Sequence, residues 1–200
     1  MPYNELLKRN RQWVAEQLGR DPHYFERLAS VHEPEFLWIG CSDARVPANE
    51  ITGTLAGEMF VHRNIANQVI PSDPNLGAVL QFAIDVLKVK DIIVCGHEEC
   101  GGIRAVLGGG APSQVEAWLT AARMVARLHA RELASIPPEE RVRRLVELNT
   151  MEQVQHLSET PAVKGAWARG QELRLHGWVF GLRDGLLRDL GVTRSAPEPD

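Results

Sequence analysis

The sequence predicts an α/β fold, a mostly parallel central β-sheet flanked by helices, and three observations carry that prediction. The apolar stretches inside PEFLWIGCSD, EMFVHRN and KDIIVCGH have the length and content of buried strands. Before the third of them, Leu76, Val79, Leu80, Ala83, Ile84 and Leu87 recur at helical spacing. A strand, a helix and a further strand in that order imply parallel pairing through a crossover. Farther along, residues 113–133 and 138–158 both carry helical patterns, separated by Pro137-Pro138.

The remaining elements follow in chain order. Leu6, Leu7, Trp13, Val14 and Leu18 give residues 4–18 an amphipathic helix, with Asn4 able to cap it. Residues 1–30 then form an N-terminal helical arm whose apolar face needs a surface to lie on. Cys100 to Leu107 opens a helix that stops at Gly108-Gly109-Gly110. LRLHGWVF alternates as a late strand, GLRDG is a turn, and LLRDLGV reads as an edge strand. The tail, residues 195–200, is too rich in Pro and charge to pack and is expected to be disordered. No internal repeat and no long linker divides the chain, so residues 1–200 read as one domain.

Composition narrows the class of function. The chain has 200 residues, 44% of them hydrophobic and 24% charged, enough for a sizeable core. A formal charge of -4 argues against nucleic acid or an anionic membrane as partner. Arg141, Arg143 and Arg144 alternate with Glu139, Glu140 and Glu147, which marks a solvated helix face and not a basic patch. MPYNELLKRNRQW has no signal-peptide core, and no apolar run is long enough to span a membrane, so a cytoplasmic location is expected. Three cysteines cannot all pair within one chain. Metal-binding or catalytic thiols in a reducing compartment are the better reading.

The chemistry collects at the predicted strand ends, the edge of a parallel sheet where ligands bind. Cys41 ends the first strand, His97 ends the third, and Cys100 follows one turn later in GHEECGG. H-x-x-C lets both side chains face one point, with Gly96, Gly101 and Gly102 allowing the tight backbone. Two thiolates and a neutral imidazole suit Zn²⁺, one ion per chain, which is catalytic when protein holds only three of its four positions. Asp43 decides whether the fourth is open. Its carboxylate either coordinates the metal and closes the site or is held by Arg45, leaving room for water. Cys95, inside Ile92-Ile93-Val94, is most simply a core residue.

CSDARV, HRNIANQV and GHEECGG together resemble the three signature blocks of the β-class carbonic anhydrases, in order and at ordinary separation. The resemblance implies a zinc lyase that hydrates CO2 reversibly to bicarbonate and a proton by attack of zinc-bound hydroxide. It also implies a homo-oligomer, dimer or tetramer, whose N-terminal helices wrap the partner subunit. On these blocks Cys41, His97 and Cys100 match the zinc ligands, and Asp43 and Arg45 match the catalytic dyad. Asp43 also matches a fourth ligand present only in the closed state. WIGC, with Trp38 and Gly40, resembles the bacterial subgroup under allosteric control, in which bicarbonate occupies a non-catalytic pocket. Those pocket residues fall on Trp38, Val46, Arg63 and Phe180, the last standing where that subgroup carries tyrosine. Two alternatives keep the same zinc site: hydrolysis of carbonyl sulfide or carbon disulfide, and a non-enzymatic, zinc-stabilised binding module.

Overall fold

The computed structural model describes residues 2–196. Residues 197–200, most of the expected disordered tail, lie outside the described residues. The chain divides into two compact units, Met1–Glu33 and Pro34–Asp200.

The first unit holds α1 (Tyr3–Arg20) and α2 (Tyr24–Ser30). Pro2, in an extended conformation, leads into α1, and no side chain caps it. Asn4 therefore lies inside the first turn and is not the cap. No residue of α1 is buried, and Leu6 and Leu7 are each 59% exposed. Trp13 meets Phe25 edge-on at 5.6 Å and Tyr24 at 6.3 Å. Such ring contacts hold α2 back against α1. With seven residues and no side-chain cap, α2 leaves little periodic signal to detect.

The second unit is built on a five-stranded sheet of order β2-β1-β3-β4-β5. Its strands are β1 (Phe36–Cys41), β2 (Met59–Asn64), β3 (Asp91–His97), β4 (Arg174–Phe180) and β5 (Leu187–Asp189). The first four run parallel, and β5 closes the sheet antiparallel to β4. The apolar runs of β1 and β3 are buried on both faces of the sheet, while β2 is an edge strand that is only half-covered. Leu37, Ile39, Ile92, Val94 and Leu175 pack against helices in one core cluster, while Trp38, Ile93, Cys95 and Phe180 belong to another.

Between β1 and β2 lies α3 (Ala48–Thr52), and a 3₁₀ turn, Ile65–Asn67, follows β2. Next comes α4 (Pro74–Gln81), capped by the Asp73 carboxylate on the Asn75 N–H and continued by a π-helical turn, Phe82–Val86. After β3, α5 (Gly101–Gly108) starts just beyond Cys100. The single helix expected over 113–133 is three pieces: α6 (Ser113–Trp118), α7 (Thr120–Leu128) and α8 (Ala130–Ser135). At the first break the Thr120 hydroxyl bonds the Ala117 carbonyl, and at the second His129 leaves helical geometry. α9 (Pro138–Ser158) runs over the expected residues with Pro138 in its first turn. α10 (Pro161–Ala168) was too short to read from periodicity; the Thr160 hydroxyl caps it by accepting from the Val163 N–H.

Close approach of α9 to the sheet is what positions the site. A Cβ on Gly96 would lie 2.4 Å from the Thr150 hydroxyl oxygen, and one on Gly177 would lie 3.2 Å from Val154. Only glycine lets the helix lie so near the end of β3 and the middle of β4. Among the described residues, no helix is long and apolar enough to cross a membrane.

Candidate metal centre

Cys41 is the last residue of β1 and His97 the last of β3, and the two strands are neighbours in the sheet. Cys100 lies immediately before α5. Parallel pairing thus brings together groups far apart in sequence. Their ligand atoms all lie within 4.8 Å of one another, and all three residues are buried.

The local hydrogen bonds fix which atoms face inward. His97 Nδ1 lies 2.8 Å from the Glu98 carbonyl, which can only accept, so Nδ1 carries the proton and donates. Nε2 is then a bare lone pair, and it is buried with no partner. An unsatisfied buried acceptor beside two thiols is costly unless something binds there. The thiols are equally unsettled: the bond from Cys100 lets Cys41 ionise far below the ordinary thiol range, while that same bond and burial drive Cys100 far above it. The pair in effect shares one proton. Backbone N–H groups of Ala66 and Asp43 face the Cys41 sulfur, and those of Ile103 and Gly102 face Cys100. This donor set fits Zn²⁺.

The glycines of the loop act differently from expectation. None of Gly96, Gly101 and Gly102 has positive φ; the left-handed residue is Glu99, at φ 58. Gly96 and Gly102 serve close approach, a Cβ on Gly102 lying 3.0 Å from Ile65 and 3.1 Å from Ala66. Around Gly101 there is open space.

Asp43 and Arg45 form a tight pair. Arg45 Nε donates to Asp43 Oδ1 at 2.9 Å, Nη2 to Oδ2 at 2.7 Å, and the Arg45 N–H to Oδ1 at 3.0 Å. The guanidinium holds the Asp43 carboxyl well below the usual carboxylate range, against a smaller opposing effect of burial. Arg45 Nη2 also reaches the Glu99 carbonyl at 3.3 Å, tying the dyad to the loop between His97 and Cys100. Asp43 Oδ2 lies 3.8 Å from His97 Nε2.

Of the other expected residues, Trp38, Val46 and Phe180 meet in one buried cluster with Cys95. Trp38 folds over Gly40, where a Cβ would lie 2.3 Å from the indole nitrogen. Arg63 pairs with Gly40 across β1 and β2, and its Nε donates to the Cys41 carbonyl at 2.8 Å and its Nη2 to the Asp43 carbonyl at 2.5 Å. Sequence reasoning missed the polar residues Asn149 and Gln153 of α9, which are buried behind the site with Gln68. Their spacing of four places them on one helix face, and their signal was polarity on a face that α9 turns to the core.

The carbonic anhydrase family profile matches residues 36–187, which hold β1 to β4 and reach the first residue of β5, and the chain belongs to the β-class carbonic anhydrases. A carbonic anhydrase of Emericella nidulans is 47% identical over 191 residues, 95% of this chain and 84% of the relative. Among solved structures, a tetrameric β-carbonic anhydrase of Sordaria macrospora superposes with a TM-score of 0.91 at 39% identity, covering 96% of this chain and 98% of its own. The Coccomyxa β-carbonic anhydrase in complex with acetazolamide gives 0.93 at 35% identity, covering 98% and 89%.

Proposed function

We propose that this carbonic anhydrase holds one Zn²⁺ on Cys41, His97 and Cys100 and uses the Asp43–Arg45 pair to keep its fourth position open for the hydration of CO2. One observation carries the reading: His97 Nε2 is buried without a partner beside two thiols, while the nearest carboxylate is held on a guanidinium. Bound there, zinc would supply the Lewis acidity that makes a water nucleophilic near neutral pH.

The chain's own residues do the rest. His97, oriented through the Glu98 carbonyl, presents a neutral nitrogen, and the backbone N–H groups facing the sulfurs draw charge from both thiolates. That matters because two thiolates would otherwise offset the ion's charge. Arg45 keeps Asp43 ionised and turned away, so the carboxylate can accept a hydrogen bond from the attacking water and orient it. Released from Arg45, Asp43 would swing onto the open position and stop turnover.

Assembly and regulation belong to the same reading. The exposed Leu6, Leu7, Trp13 and Leu18 of α1 favour self-association, as in the tetrameric relative. Control by bicarbonate at Trp38, Val46, Arg63 and Phe180 should be weak. Phe180 lacks a hydroxyl, and two Arg63 donors are committed to carbonyls. Stopped-flow CO2 hydration by zinc-loaded and metal-stripped protein tests the proposal: activity should depend on zinc, and equal rates in both forms would refute it.

A further inference from the structure

The segment Ile65–Val69, between β2 and α4, contains two successive left-handed residues, Ala66 at φ 63 and Asn67 at φ 47, and neither is glycine. A side chain disfavours that conformation, so the surroundings must enforce it. Two buried amides do so. The Ala66 carbonyl accepts from Gln68 Nε2 at 2.7 Å and from Asn149 Nδ2 at 3.2 Å. Asn149 Oδ1 in turn accepts from Gln68 Nε2 at 2.9 Å and Gln153 Nε2 at 3.2 Å, and Gln153 Oε1 accepts from the Val69 N–H at 2.7 Å. Gln68, Asn149 and Gln153 are each no more than 1% exposed. A buried, cross-linked amide network of this kind fixes one geometry.

What it fixes is the other end of the same residue. The Ala66 N–H faces the sulfur of Cys41, and Ala66 and Cys41 belong to one buried cluster. We propose that Asn149 is a positioning residue for the metal centre: together with Gln68 it locks Ala66 in the left-handed conformation that aims its N–H at Cys41 Sγ. The inference rests on the metal-site reading above. An N–H held on a ligand sulfur lowers the electron density that the sulfur gives the ion, so α9 tunes the metal without touching it.

The test uses the full-length protein loaded with cobalt(II), reading the thiolate-to-cobalt charge-transfer bands and the rate of metal release to a chelator. In Asn149→Leu the bands should move to lower energy and release should quicken by about ten- to hundred-fold. Ala66→Gly in that background should return both readouts toward wild type, because glycine adopts the left-handed conformation without help. A residue that merely fills the core would not be rescued this way. Should Asn149→Leu fail to fold, Gln68→Met removes the second donor to the same carbonyl and should give the same shifts. Unchanged bands and release in the folded variant, or no recovery on adding Ala66→Gly, overturns the positioning role alone. A wild-type protein that takes up no cobalt overturns the metal-site reading, and this inference with it.

Discussion

The two ends of β3 invite comparison. At its start Asp91 receives two bonds from Arg174, at 2.8 and 2.9 Å, and lies 2.8 Å from His176 Nε2. The other His176 nitrogen meets the Thr193 hydroxyl at 3.1 Å. At its finish His97 has one nitrogen satisfied and the other bare beside two thiols. Both ends hold a partnered histidine near a carboxylate, and only one is incomplete. Completeness marks a structural network, whereas a buried, unsatisfied imidazole nitrogen converging with two thiols marks a place where a metal ion fits. Cys95, between the ends, is of the first kind: burial drives its thiol far above the ordinary range, and its sulfur donates to the Gly96 carbonyl at 3.2 Å.

Substitutions should separate these regions by size of effect. Cys100→Ala or His97→Ala should lose metal and hydration together, by about a thousandfold or more in rate, as metal analysis and stopped-flow assay would show. Cys95→Ser should keep both and cost about 1–3 kcal/mol in denaturant unfolding, as a hydroxyl buried in an apolar cluster does. Metal loss in Cys95→Ser would erase the distinction drawn along the strand. Next in size, Arg45→Ala should retain zinc yet slow hydration by about a hundredfold or more, because the freed carboxylate takes the open position. Asp43→Ala should also slow turnover, since nothing then orients the water.

Smaller effects sharpen the comparison. Phe180→Tyr restores a hydroxyl near Trp38 and should strengthen inhibition by bicarbonate by roughly two- to tenfold, the equivalent of about 0.5–1.5 kcal/mol for one hydrogen bond. Identical inhibition of both proteins would show that Phe180 does not line an anion pocket. At the other end of β3, burial raises the Asp91 carboxyl, but the bonds from Arg174 and His176 outweigh it and leave it below the ordinary 3.8. A carboxyl lowered on folding stabilises the protein above its unfolded value and loses that contribution as the pH falls through its folded one. Asp91→Asn should therefore cost about 1 kcal/mol at neutral pH, a modest amount because the Arg174 side of the pair is exposed. That deficit should vanish in acid unfolding experiments below the ordinary carboxylate range, with metal content unchanged throughout.

Much of this was legible in the sequence because it is local. Three of the parallel strands announced themselves as apolar runs and the fourth by alternation, and the groups that meet at their ends sit in short motifs, so parallel pairing alone brings Cys41 to His97 and Cys100. α9 was legible to its ends because Pro138 starts it and its pattern is long. The failures have physical causes. α2 and α10 are too short for a period to emerge, and 113–133 breaks where side chain–backbone bonding and a non-helical His129 intervene. The tight backbone of the metal loop was read from its glycines, yet its left-handed residue is Glu99. Asn149 and Gln153 escaped notice because their partners, Ala66, Gln68 and Val69, lie far away along the chain, a contact no spacing within α9 encodes.

The central claim is the identity of the atoms around the metal, and X-ray absorption at the zinc edge of the fully loaded protein measures it most directly. Cys41, His97 and Cys100 with one open position should give two sulfurs at about 2.3 Å and two lighter atoms at about 2.0–2.1 Å. A shell without sulfur, or with a single sulfur, would contradict the account.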